Sequence, residues 1–567
     1  MLKQLHRLLL DSVLLGVVGA LGAQAFTFLL HWGQIIFLEW IGHYHVPELP
    51  PNGAGGGHTS WLIPVSTTVG GLLAGLLVYS VAPEAEGHGT DAAVNAFHNL
   101  RGVIRTRVPF IKMFASAITI GSGGSAGREG PTALISAGIG SIYATKLHRS
   151  QEEVRLLLLV GMAAGLSAIF RSPIGTAIFA IEVLYGEIEF ESSALVFTML
   201  GSIVAYAING IFVGFRPLFA VPPSLRVSSA AGYGWYIVLG VICGLVATIL
   251  PLTLYTMRDI FHRIPCPPHF KPAIGGLGVG LLALAFPQLL GGGYVWIQAA
   301  INGSLPLRLL LFLAFGKILA LALTIGSGGS GGVFAPSLFT GALVGGFLSL
   351  VLHQPPAAFA VVGMAAVFGA AARVPIATLL MVTTMTGGYH LFVAAGLAVI
   401  LSSLVQSLLS RNLKYKSLYE AQVPNRDYSP SHFVEHLRRS LELLGTPGIS
   451  HNFDSRGLEL MSLLASGVPV ELVDGKCLRV GVLRPKSACV GQPLGSGCLV
   501  AGNNLEFIMV LRGERSLFPH PDLKLEAGDR LVAVASDAAW SAVRPHLDTI
   551  APPPQATSDA SRTSNQE

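Results

Sequence analysis

Phe110-Ile-Lys112-Met-Phe-Ala-Ser-Ala-Ile-Thr-Ile-Gly121-Ser-Gly-Gly-Ser-Ala-Gly127-Arg-Glu-Gly-Pro131 matches, without a gap and 205 residues later, Phe315-Gly-Lys317-Ile-Leu-Ala-Leu-Ala-Leu-Thr-Ile-Gly326-Ser-Gly-Gly-Ser-Gly-Gly332-Val-Phe-Ala-Pro336. A second pair keeps the order at an offset of 202: Gly161-Met-Ala-Ala164 with Arg171 and Pro173-Ile174, against Gly363-Met-Ala-Ala366 with Arg373 and Pro375-Ile376. Two matched blocks in the same order mean a duplicated half of about 200 residues, placed at about 10–214 and 231–420. In an apolar chain, duplicated halves predict a binding site at the interface between them.

The composition supplies the apolar setting. Of 567 residues, 51% are hydrophobic and 12% charged, against roughly 25% charged in soluble proteins. The charges are unevenly spread, 30 of them falling in 421–567 and 37 in 1–420, so a membrane part precedes a water-soluble tail. A net charge of +5 without a basic run excludes nucleic acid as a partner. Apolar runs fall near 12–39, 61–82, 108–120, 132–147, 155–170, 174–185, 194–214, 233–260, 272–290, 306–325, 333–352, 358–371, 374–386 and 390–409. Several are shorter than the roughly 20 residues that span a bilayer. Helices broken inside a membrane are tolerated where their ends are buried in protein or line a wet cavity, as in transporters and channels. Ala23-Gln24-Ala25 imitates a signal-cleavage site, but the apolar run continues to about Leu38, which favours an uncleaved first helix. The expected fold is an all-α polytopic membrane protein with duplicated halves and broken helices, followed by a small soluble α+β domain.

In the tail, 421–476 reads as a linker with short amphipathic helices near Ser431 to Leu444 and Ser455 to Ala465. Leu478 to Leu483, Phe507 to Arg512 and Asp529 to Ala535 have the alternation of strands, placing an α+β domain at 477–548. The Pro-, Ser- and Thr-rich residues 549–567 are expected to be disordered. Cys243, Cys266, Cys477, Cys489 and Cys498 contain no C-x-x-C pair and indicate neither a zinc site nor a disulfide framework.

Both Gly-Ser-Gly-Gly-Ser loops lead into apolar helices, with Pro131 and Pro336 near the first turn. A helix N-terminus offers unpaired N–H groups and about half a positive charge, enough to hold an anion without a full charge in the membrane. Small residues also allow tight helix packing in lipid, but two copies in matching places favour the anion. The Lys-Ser/Thr ending of a nucleotide-binding loop is missing. Glu129 is a carboxylate in an apolar stretch, costly enough to be functional. Ionised, it occupies the anion's place; protonated or displaced, it opens the path. The alternative is a plain partner for Arg128. Lys112 and Lys317, at equivalent places, either raise the local potential or snorkel to an interface. A serine protease using Ser122 or Ser327 is a remote alternative, since the loop is duplicated and the neighbouring apolar runs hold no histidine.

Gly127-Arg-Glu-Gly-Pro131, Gly332-Val-Phe-Ala-Pro336, the duplicated halves and Ser417-Leu-Tyr419 together resemble the CLC family of chloride channels and proton-coupled chloride exchangers, over about residues 10–420. The resemblance implies an all-α protomer with inverted duplicated halves, a homodimer with an anion pathway in each subunit, chloride as the transported ion, no cofactor, no metal and no enzymatic activity. It also implies that Glu129 is the gate, that Arg128, Gly130, Val333 and Phe334 supply backbone around the anion, and that the Tyr419 hydroxyl coordinates it. Val480 to Leu547 resembles the TrkA C-terminal regulatory domain of bacterial transporters, implying an unknown regulatory ligand or a dimer contact, and a multi-pass protein of a bacterial plasma membrane with its C-terminal domain in the cytoplasm.

Two positions depart from the family pattern. Where a serine usually meets the anion, this chain reads Gly87-His88-Gly89-Thr90-Asp91, so that His88 and Gly89 face the ion and His88 makes conduction or selectivity sensitive to pH; otherwise the imidazole caps a helix away from it. Where exchangers commonly carry two successive glutamates, this chain has Glu182 then Val183, losing the proton relay. The expectation is therefore a passive chloride channel gated by Glu129. A proton-coupled antiporter is the alternative, with Glu182, Glu187 and Glu189 as places to look for its proton route.

Overall fold

The computed structural model describes residues 2–47, 60–222, 230–430, 470–471, 477–499, 505–512, 515–517 and 519–548. The chain forms two compact units, Met1–Pro424 and Asn425–Glu567. The expected linker helices and the final Pro-rich stretch lie outside the described residues.

The first unit is helical. Its first half runs α1 (Leu2–Gln34), α2 (Ile63–Val81), α3 (Thr90–Asn99), α4 (Arg107–Gly121), α5 (Glu129–Lys146), α6 (Gln151–Phe170), α7 (Pro173–Glu182) and α8 (Leu195–Val213). Its second half runs α9 (Ala230–Arg263), α10 (Lys271–Ala285), α11 (Tyr294–Ile301), α12 (Leu307–Gly326), α13 (Phe334–Val351), α14 (Pro356–Ala372), α15 (Pro375–Thr386) and α16 (Phe392–Ser410). The two series match helix for helix, and eight of the described helices are long and apolar enough to cross a membrane. Ala23-Gln24-Ala25 lies inside α1, which continues as a π-helical stretch to Ile41.

The halves are related locally by a two-fold. The Gly127 amide donates to the Gly332 carbonyl at 2.7 Å and the Gly332 amide to the Gly127 carbonyl at 2.6 Å, an exchange between equivalent residues. Because α5 and α13 both start beside this pair, they approach it from opposite sides, which is the inverted arrangement. Equivalent residues also share unusual backbone: Arg171 and Arg373 end α6 and α14 in the left-handed conformation, with φ of 55° and 57°.

The second unit contains an antiparallel sheet of β1 (Val470–Glu471), β2 (Cys477–Leu483), β3 (Leu505–Arg512), β4 (Arg515–Leu517), β5 (Arg530–Ala535) and β6 (Leu547–Asp548), in the order β1-β2-β5-β3-β4 with β6 also on β2. Val480 pairs with Val532 and Phe507 with Ala533. α17 (Asp537–Val543) is capped by Ser536, whose hydroxyl accepts the Ala539 amide. The sheet starts upstream of 477 because β1 is a two-residue edge, too short to show alternation in sequence. Cys489 and Cys498 are joined by a disulfide, which corrects the expectation from cysteine spacing. Their separation of nine residues carries no motif, and the loop between them brings the sulfurs together.

Candidate functional site

Three helix N-termini and one tyrosine converge where the halves meet. Gly89, at φ +85°, ends the loop before α3. A Cβ on Gly89 would lie 2.7 Å from the Gly130 carbonyl oxygen, and one on Gly130 would lie 2.1 Å from the His88 carbonyl oxygen. Only glycine at both places lets the starts of α3 and α5 approach so closely. Arg128 and Val333 are the N-cap residues of α5 and α13, and Glu129 and Phe334 open those helices.

Glu129 is 1% exposed, and its carboxylate has no side-chain partner but lies near the backbone amides of Glu129 and Ala335. Its Oε2 lies 2.1 Å from where a Gly127 Cβ would stand, a point itself 3.1 Å from the Ala335 amide nitrogen. The carboxylate therefore occupies the space beside the first turn of α13, where backbone N–H groups favour negative charge. The Arg128 guanidinium lies over the Tyr294 ring, 5.2 Å from its centroid; it makes no hydrogen bond to Glu129, so the plain ion-pair reading fails.

The His88 ring lies 5.4 Å from the Tyr419 ring, and its buried Nδ1 has no partner, so it is not the bonded helix cap of the alternative reading. Tyr419 is buried and meets Phe179 edge-on at 6.5 Å. Phe334 packs against Phe170 at 4.2 Å and Phe368 at 4.1 Å. These aromatic neighbours were not legible as site residues. His88 also borders a cavity of about 530 Å³ lined by Glu86, Asp91, Tyr255, Arg258 and Glu420.

Lys112 and Lys317 are fully buried, which removes the snorkelling alternative. Lys112 Nζ donates to the carbonyls of Ala85 at 3.0 Å and Gly87 at 2.6 Å. Lys317 Nζ donates to those of Leu289 at 2.8 Å and Gly291 at 2.6 Å. Each ammonium thus pins the loop that leads into the next short helix, α3 or α11. Ser122 and Ser327 donate to the carbonyls of Thr119 and Thr324, both at 3.0 Å, closing their loops. These bonds are structural, with no base at either hydroxyl.

Tyr419 is held by its flanks. The Tyr255 hydroxyl donates to the Leu418 carbonyl at 2.6 Å, Asp91 accepts the Ala421 amide at 2.8 Å, and Arg258 pairs with Glu420. Gln422 donates to the Val183 carbonyl at 3.0 Å. Val183 is buried. Glu182 turns away to α15, accepting the Ile376 amide at 3.1 Å and the Ala377 amide at 2.7 Å. Glu187 is exposed and Glu189 half-buried, leaving Glu182 as the enclosed carboxylate of the three.

A family model described as voltage gated chloride channel matches residues 70–407. The H(+)/Cl(-) exchange transporter ClcA of Cronobacter sakazakii is 31% identical over 429 residues, 73% of this chain and 88% of the relative. That of Salmonella agona is 33% identical over 378 residues, 64% of this chain and 79% of the relative. A slow cyanobacterial Cl-/H+ antiporter shares the fold with a TM-score of 0.63 at 24% identity, over 72% of this chain and 96% of the other. A CLC-type fluoride/proton antiporter does so with a TM-score of 0.64 at 22% identity, over 75% and 99%.

Proposed function

Since the chain belongs to the voltage-gated chloride channel family, a multi-pass membrane family of anion transport proteins, we propose that it is a proton-coupled chloride exchanger. This replaces the passive channel expected from Val183. The observation that carries the reading is the Glu129 carboxylate, buried beside the first-turn amides of α13. Ionised, it competes with a halide for the same N–H groups; protonated, it loses the charge those groups favour and yields the place to the anion. One residue then takes up a proton as an anion enters, which is the elementary coupling an exchanger needs. That the relatives are named exchange transporters supports this over a channel.

On the same reading Glu182 carries the proton at the other end of the route. It is enclosed, adjacent to Val183, and held in place by two α15 amides. His88 and Tyr419 offer the side-chain donors to the central anion. We further place the protein as a homodimer in a bacterial inner membrane, with the second unit in the cytoplasm as a TrkA-C-like regulatory domain.

The test is chloride efflux from liposomes containing the purified protein, with external pH followed and the potential clamped by a potassium ionophore. Uphill proton movement in fixed ratio to chloride is expected, and Glu129→Gln should abolish it while chloride still flows. Wild-type chloride flux without proton movement would restore the channel reading.

A further inference from the structure

Among the described residues, one cluster of ligand-type side chains stands apart outside the anion pathway. Cys489, Cys498 and His546 each bring a donor atom within 4.8 Å of the others. Cys489 is fully buried, and Cys498 and His546 are half-buried. We propose that, when its cysteines are reduced, the second unit binds one zinc ion through Cys489, Cys498 and His546.

The chemistry and the scaffold both suit the ion. Two thiolates and an imidazole form a borderline-soft donor set typical of zinc, which takes Zn–S near 2.3 Å and Zn–N near 2.0–2.1 Å. A tetrahedral ion holds its sulfurs about 3.8 Å apart; with their Cα atoms 5.6 Å apart, side-chain rotation alone reaches that separation. All three donors are carried on pinned backbone. The segment bearing the cysteines is tied to the strand-like run beside it, the Gly491 amide donating to the Leu525 carbonyl at 2.7 Å and the Leu494 amide to the Leu523 carbonyl at 2.8 Å. The His546 carbonyl accepts the Arg484 amide at 3.0 Å. One hydroxyl then couples two of the ligands: Ser487 Oγ is 3.1 Å from His546 Nδ1 and accepts the Cys489 amide at 3.2 Å. Such outer partners orient metal-bound histidines.

Binding exchanges two thiol protons for Zn²⁺. Loss of the ion needs a two-electron oxidant of the disulfide class. The two thiolates give up two electrons to form the Cys489–Cys498 bond, the oxidant RSSR takes them with two protons from water and leaves as two RSH, and Zn²⁺ goes free. The disulfide and the zinc site are thus two states of the same cysteines.

Cobalt(II) titration of the anaerobically reduced full-length protein in detergent tests this. Expected is one cobalt per chain, with thiolate-to-cobalt charge-transfer absorption and the visible bands of a tetrahedral ion, both abolished by zinc. Cys498→Ser should lose at least half of the charge-transfer signal, Ser487→Ala should weaken binding about tenfold, and Cys477→Ser should leave both unchanged. Oxidised glutathione added to the zinc-loaded wild type should release one zinc and two thiols per chain, a result that does not depend on any variant folding. No charge-transfer absorption in the reduced wild type, or its survival at full strength in Cys498→Ser, would overturn the proposal.

Discussion

Replacing Lys112 and Lys317 in turn by methionine separates scaffold from site, because the two lysines do the same structural work in different halves. Each Nζ donates to two buried carbonyls, Ala85 and Gly87 in one half, Leu289 and Gly291 in the other. A hydrogen bond from a charged donor contributes about 1.5–3 kcal/mol net, so two give about 3–6 kcal/mol. Those values are already net of desolvation, so the expected loss is about 3–6 kcal/mol for either variant. Thermal unfolding in detergent should therefore show both midpoints lowered by similar amounts. Transport should not be similar. The loop held by Lys112 carries His88, whose ring faces Tyr419, whereas the loop held by Lys317 carries Gly291 to Gly293. Liposome chloride flux is expected to fall about tenfold or more for Lys112→Met, equivalent to about 1.4 kcal/mol of barrier, and less than about threefold for Lys317→Met. Equal flux losses, or a Lys112→Met protein as stable as wild type, would refute the reasoning.

Glu182→Gln should leave chloride flux largely intact while proton movement stops, measured in the same liposomes; coupling that survives the change would remove Glu182 from the proton route. His88→Ala should weaken chloride binding by about tenfold, the worth of one donor to an anion, whereas His88→Ser should stay within about threefold; titration calorimetry with chloride reads both, and an unaffected alanine variant would show that His88 does not donate. In the second unit, Asp529 has a fully buried side chain whose oxygens accept from Arg512 Nε and Nη2, both at 2.8 Å. Arg512→Met leaves that carboxylate with the Glu526 amide at a cost of about 1.5–3 kcal/mol, expected as faster proteolysis of the tail, and unchanged proteolysis would show that the pair contributes little.

The sequence made fourteen of the sixteen described helices of the first unit visible, and the two it hid are each other's counterparts. α3 and α11 have only 10 and 8 residues, and α3 carries Asp91, Asn95, His98 and Asn99, so neither reads as an apolar run. Yet a signal was present: Gly87 and Gly89 recur as Gly291 and Gly293 at an offset of 204, beside the matched lysines. Extending the repeat upstream from Lys112 and Lys317 finds both loops. Glu129, Arg128 and Val333 were legible because their loops are duplicated. Phe170, Phe179 and Phe368 were not, since a phenylalanine in an apolar run looks the same whether it faces lipid or an anion site. The ties of Asp91 to Ala421 and of Arg258 to Glu420 join residues 330 and 162 apart, and no local pattern announces such pairs. The lysines' carbonyl partners became visible only once the loops had a shape.

What the two halves keep in common differs in kind from what they do not. Lys112 and Lys317, Thr119 and Thr324, Ser122 and Ser327, Arg171 and Arg373 recur in equivalent places and make equivalent bonds or backbone turns. They are scaffold, and duplication doubles it at no loss. The residues with chemistry occur once. Arg128-Glu129 stands opposite Val333-Phe334, and the histidine loop stands opposite a run of glycines. The reason is electrostatic: the starts of α5 and α13 face one shared space across the Gly127–Gly332 pair, and two carboxylates there would repel, forcing one to stay protonated. A single glutamate against an apolar partner leaves that space to one negative charge at a time, carboxylate or anion. On the proposed exchanger reading, inverted symmetry aims two helix ends at the ion, and breaking that symmetry at one residue allows the ion to be exchanged.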